Sequence, residues 1–88
     1  MRIHVRRTGG FAGIARQAGI DTTGRGDAAQ WRALAEAALT GGRDAPPDPV
    51  PDGFSYAITV DGRTVYCADP RLTHEQRTLI TRVLKEGA

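Results

Sequence analysis

The stretch Phe54-Ser-Tyr-Ala-Ile-Thr-Val-Asp-Gly-Arg-Thr-Val-Tyr-Cys-Ala68 decides the fold. Two alternating apolar and polar runs flank Asp61-Gly62. A two-residue Asp-Gly connection signals a β-hairpin, because both turn positions require positive φ. That turn sets Val60 opposite Arg63, Ile58 opposite Val65 and Tyr56 opposite Cys67. Side chains alternate across a strand, so Phe54, Tyr56, Ile58, Val60, Val65 and Cys67 share one face. Ser55, Ala57, Thr59, Thr64 and Tyr66 share the other. The first set is the expected core face. Cys67 is then a buried structural thiol, with no base near it in sequence to make it a nucleophile.

Downstream, Asp69-Pro70 breaks the strand. Thr73 is placed to cap a helix, with Gln76 closing a capping box. Leu72, Leu79, Ile80, Val83 and Leu84 form its apolar stripe, and Gly87 ends it. Upstream, residues 41–53 form a long Pro/Asp/Gly loop, which the prolines restrict to extended conformations. Before it, Trp31, Leu34, Ala35, Ala38 and Leu39 fall at helical spacing, predicting a helix over 28–39. Asp27 with Gln30 reads as its capping box, and Arg32 with Glu36 as an exposed i, i+4 pair. Trp31 could be a binding aromatic, but on this stripe the core reading is preferred.

The first segment, residues 1–8, alternates Ile3 and Val5 against Arg2, His4 and Arg6, and so reads as a strand. His4 is then an exposed strand residue. A second strand is expected from Phe11 to Ile20. Its alternation is imperfect, because Arg16 shares parity with Ile14, Ala18 and Ile20. A bulge or a strand end near Gly13 or Gly19 would remove the conflict. The order is β-β-α-β-β-α: an α+β fold, one domain over residues 1–88, with a four-stranded antiparallel sheet and both helices on one face.

Between the first two strands stands Thr8-Gly9-Gly10-Phe11-Ala12-Gly13-Ile14. Glycine reaches positive φ and lets another backbone come close. Two readings stay open: a hairpin turn folding Phe11 back into the core, or a glycine-flanked probe carrying Phe11 outward. The Pro-rich loop around Pro47, Asp48 and Pro49 is a second candidate contact surface.

Composition narrows the function. A chain of 88 residues buries a single core, and a deep substrate pocket would consume much of it. One cysteine and two distant histidines, His4 and His74, give no disulfide and no zinc-ligand spacing. No cofactor, metal or catalytic residue is expected. His74-Glu75 superficially suggests an acid–base pair, yet a Glu at a helix start has a plain dipole role and no third group is evident. There is no signal-peptide h-region and no membrane-spanning stretch, so a cytoplasmic protein away from membranes is expected. The net charge is only +2, but it is polarised. Arg2, Arg6, Arg7 and Arg16 crowd the first twenty residues without an acid, whereas Asp44, Asp48, Asp52, Asp61 and Asp69 face only Arg63. Such polarity can steer a charged partner.

The opening Met1-Arg-Ile-His-Val-Arg-Arg-Thr-Gly-Gly-Phe-Ala-Gly-Ile-Ala-Arg16 resembles the start of the emfourin family. These are small bacterial inhibitors of protealysin-like, thermolysin-type metallopeptidases. Members share a basic first strand and a Ser/Thr-Gly-Gly-Phe-Ala-Gly-Ile block. A helix, a proline-rich loop, a Phe-x-Tyr-x-Ile/Val strand (here Phe54–Val60) and a Leu-rich last helix follow. The likeness spans essentially the whole chain, with only Gly-Gly-Phe-Ala-Gly specific. The acidic loop composition and Cys67 map to no family feature.

The resemblance implies an inhibitor, not an enzyme, encoded beside its target and acting inside the cell; the free protein is expected to be a monomer. Thermolysin-like enzymes favour a large apolar side chain just after the scissile bond. Thr8, Gly9, Gly10, Phe11, Ala12 and Gly13 would then be the contact segment, aided by Pro47, Asp48 and Pro49. Phe11 would fill the pocket and the Gly10 carbonyl would approach the zinc. A rival class is a nucleic-acid-binding module using Arg2, His4 and Arg6. Low net charge and the lack of stacking aromatics on that face argue against it.

Overall fold

The computed structural model describes residues 1–10, 15–48 and 53–88. The elements run β1 (Arg2–Gly9), β2 (Arg16–Asp21), α1 (Ala28–Thr40), β3 (Phe54–Val60), β4 (Arg63–Ala68) and α2 (His74–Glu86). All strand pairs are antiparallel and the sheet order is β2-β1-β3-β4. The expected order, sheet and helix placement all stand.

The β3–β4 hairpin has the register that Asp61-Gly62 dictates, with Val60 opposite Arg63 and Tyr56 opposite Cys67. Asp61 at φ 48° and Gly62 at φ 86° make a primed turn, whose twist matches the strands. On the expected inner face Tyr56, Ile58, Val60, Val65 and Cys67 are buried, while Phe54 at the strand end is only half-buried. Ile3 and Val5 from β1 and Ala18 from β2 complete the floor of the core. Trp31, Ala35 and Ala38 of α1 and Leu79, Ile80 and Val83 of α2 cover it. Burying a side chain such as Leu79 contributes about 1.5–3 kcal/mol, so this one cluster carries the hydrophobic stabilisation.

The helices lie antiparallel. Gln76, fully buried, joins them: its Nε2 donates to the Ala38 carbonyl at 3.1 Å. Its Oε1 accepts from the Thr73 N–H, and its own N–H donates to Thr73 Oγ1, both at 3.0 Å, so the expected capping box forms. At the other end Arg82 and Asp27 meet at 3.4 Å.

The expected cap at Asp27 does not form: its side chain makes no capping hydrogen bond and Gln30 is exposed. The carboxylate instead accepts from Arg25 at 3.0 Å and Arg82 at 3.4 Å. Charge-assisted bonds to guanidinium outcompete a backbone N–H. Arg32 and Glu36 form no ion pair among the described residues; both project into solvent. The second strand begins at Arg16 rather than Phe11, and residues 11–14 lie outside the described structure. Gly19 continues the regular register opposite His4, so the parity conflict is met at the strand end. There Arg16 donates to the Leu84 carbonyl at 2.8 Å, keeping its charge out of the core.

Candidate functional site

Four strand ends meet at one edge of the molecule: the close of β1 at Gly9, the start of β2 at Arg16, the start of β3 at Phe54 and the close of β4 at Ala68. The sheet register places Gly9 opposite Phe54. The start of the Gly-rich bend at Gly9 and Gly10 and the downstream end of the Pro-rich loop at Gly53, separate candidates in the sequence, therefore lie side by side.

The contact between them needs glycine. Gly9 and Gly10 both have positive φ, 89° and 76°. A Cβ on Gly9 would lie 2.7 Å from the Gly53 carbonyl oxygen, and one on Gly10 would overlap the Phe54 ring. The Gly10 N–H donates to that same Gly53 carbonyl at 3.0 Å. Backbone thus packs on backbone, and the ends of both loops are fixed by one hydrogen bond.

Phe54 is the centre of this edge. Its ring is stacked by the Arg7 guanidinium at 4.3 Å and tilted against Tyr56 at 6.4 Å. Asp69 clasps its backbone: the Asp69 N–H donates to the Phe54 carbonyl at 2.9 Å, and the carboxylate accepts from the Phe54 N–H at 3.4 Å. Asp69 continues into a groove of about 450 Å³ lined by Gly41, Arg43, Pro47, Asp48, Pro70 and Arg71. The described members of both sequence candidates thus border the same end of the sheet. Thr8 and Pro47 are half-buried and Asp48 is exposed. Phe11, Ala12, Gly13 and Pro49 lie outside the described residues.

Sequence reasoning missed Arg7, Phe54, Asp69 and Arg71 at this edge. The local pattern assigned Phe54 to the hairpin core, and only the pairing of β1 with β3 reveals its neighbours.

Burial, with a smaller contribution from Asp69, pushes the Cys67 thiol up to about 11. Burial and Asp69 raise Tyr56 as well, against the opposing charges of Arg7 and Arg77. Among the described residues no group of three His, Cys, Asp or Glu could hold a metal ion. His74 is exposed at the start of α2. No helix among them is long and apolar enough to cross a membrane.

The basic strand face is not a clean cationic surface. Arg2 lies 3.9 Å from Asp21, and its backbone N–H donates to the Asp61 carboxylate at 2.8 Å. Interleaved acids oppose phosphate binding. His4 is exposed on that face, as expected.

The described residues form a four-stranded sheet whose loop edge is built on Gly9 and Gly10. The emfourin family model matches residues 5–84 of the 88. The chain belongs to the emfourin family, a family of protease inhibitors. No curated protein and no solved structure matches it.

Proposed function

We propose that the protein inhibits a thermolysin- or protealysin-like zinc metallopeptidase by seating the Gly-rich edge in its active-site cleft. Thr8, Gly9, Gly10, Phe11, Ala12 and Gly13 form the inserted segment, and Pro47, Asp48 and Pro49 flank it. Phe11 enters the apolar specificity pocket, and the Gly10 carbonyl approaches the zinc. The protein acts as a monomer in the cytoplasm, without a cofactor and without catalysis of its own.

The observation that carries this reading is the tie between the described ends of the two loops, Gly10 and Gly53. The Gly10–Gly53 hydrogen bond and the Phe54 ring hold the base of the bend before any partner arrives. Fixing the base of a loop lowers the entropy lost when the loop binds. Family membership supports a protease as partner.

The test is recovery of the partner on immobilised protein, followed by kinetics with a protealysin-like peptidase and a peptide substrate. Competitive inhibition is expected. Absence of inhibition, with the inhibitor shown to be folded, contradicts the assignment of the target.

A further inference from the structure

Beside the Gly-rich edge, on the helix-covered side of the sheet, lies a groove of about 480 Å³ lined by Arg7, Arg16, Tyr56, Ile80, Leu84 and Lys85, with Thr81 at its side. Three cations face it and no carboxylate lines it among the described residues. Arg16 is oriented by its bond to the Leu84 carbonyl and Arg7 by its stack on Phe54. Asp69 and Arg77 also act on Tyr56, and the Asp69 carboxylate accepts from the Phe54 N–H. The Arg7 Nε is buried and has no hydrogen-bond partner among the described residues. Arg7 is itself only half-buried, so its guanidinium stays within reach of an arriving acceptor, which would also satisfy the unpaired donor.

We propose that this groove receives a carboxylate side chain from the rim of the target peptidase's cleft, with Arg7 as the central donor. Arg16 and Lys85 supply the surrounding positive field. The inference rests on the inhibitory reading above, since it adds a charged subsite to the same edge. Arg7 precedes Thr8-Gly9-Gly10 and Arg16 opens the strand beyond the bend, so a partner seated on the bend lies against the groove. An arginine fork suits a carboxylate better than a point charge would.

Two measurements separate this proposal from the reading beneath it. The first needs no peptidase: an acetylated tetraglutamate peptide is titrated into the free protein at low salt, with the Arg7 Nε–H followed by NMR. A saturable shift is expected, weakened in the Arg16→Gln/Lys85→Gln double variant, whose two side chains are exposed and cheap to change. The second is the rate of inhibition of a protealysin-like peptidase at about 0.05 and 0.5 M NaCl. Association is expected to slow about five- to tenfold at high salt, and to be slow and nearly salt-independent in the double variant. Arg7→Gln should speed dissociation about tenfold, with its melting checked because it also loses the stack on Phe54. Salt-independent inhibition without a shift at Arg7 overturns the groove and leaves the inhibitory reading intact. A shift at Arg7 without inhibition does the reverse.

Discussion

Gly10 shows how one residue couples two loops. Replacing it with alanine keeps the backbone donor but sets a Cβ into the Phe54 ring at a φ of 76°. A non-glycine residue held in the left-handed region costs roughly 1–2 kcal/mol. Gly10→Ala should lower stability by about that amount, and inhibition by more, because Phe54 must move. Urea denaturation beside an inhibition assay checks both; equal stability would mean the ring has free room. Cys67 is the opposite case, a residue whose role local pattern foretells. Its thiol is buried and pushed up to about 11, so thiolate at neutral pH is scarce. Thiol reagents should label the native protein slowly and the denatured protein fast; rapid native labelling would place the β3–β4 hairpin the other way round. Trp31 is fully buried, with Arg82 stacked on its ring at 4.1 Å and Arg25 at 5.7 Å. Trp31→Ala should cost about 3–5 kcal/mol of folding stability. A variant that melts normally yet no longer inhibits would make Trp31 a contact instead.

At the scale of elements, the two helix starts looked alike in sequence and differ in the fold. Thr73 and Gln76 form a capping box because both partners are local and no charge competes. Thr73→Ala should cost about 1 kcal/mol, readable in thermal unfolding. Asp27 carries the same local signal, but Arg82, distant in sequence, claims its carboxylate together with Arg25. The hydrogen bond from Arg25 holds the Asp27 carboxyl below its ordinary value of 3.8. A depressed carboxyl contributes stability that is complete above the unfolded pKa and lost as pH falls through the folded one. Asp27→Asn should therefore lower the melting temperature at neutral pH, with the gap closing below pH 3.8 and narrowing in high salt. A gap independent of pH would return Asp27 to a neutral capping role. Hairpin β3–β4 and helix α2 were legible because Asp61-Gly62 and Thr73-x-x-Gln76 are short-range instructions. The start of β2 and the cap of α1 were not, because Leu84 and Arg82 of α2 decide them.

At the scale of the molecule, element order and the layer of helices follow from the periodicities, but the position of the candidate edge does not. That position depends on β1 pairing with β3, where Gly9 meets Phe54. No local pattern specifies this register. The sequence therefore offers two separate segments whose described ends the fold brings together. The far side of the molecule is tied differently: Ala88 exchanges backbone hydrogen bonds with Gly19 of β2 at 3.1 Å in both directions. Alterations at that end should disturb the sheet edge before they disturb inhibition.

The central claim is that the Gly-rich edge delivers Phe11 to the target's apolar pocket. A filled, desolvated aromatic site is a typical hot spot, worth more than about 2 kcal/mol on truncation. The direct test is the inhibition constant of Phe11→Ala against a protealysin-like metallopeptidase, with melting and circular dichroism in parallel. The account predicts at least about a thirtyfold weaker inhibitor with little loss of stability, and near-normal inhibition by Phe11→Leu. Unchanged inhibition by Phe11→Ala, or inhibition and folding lost together, would contradict it.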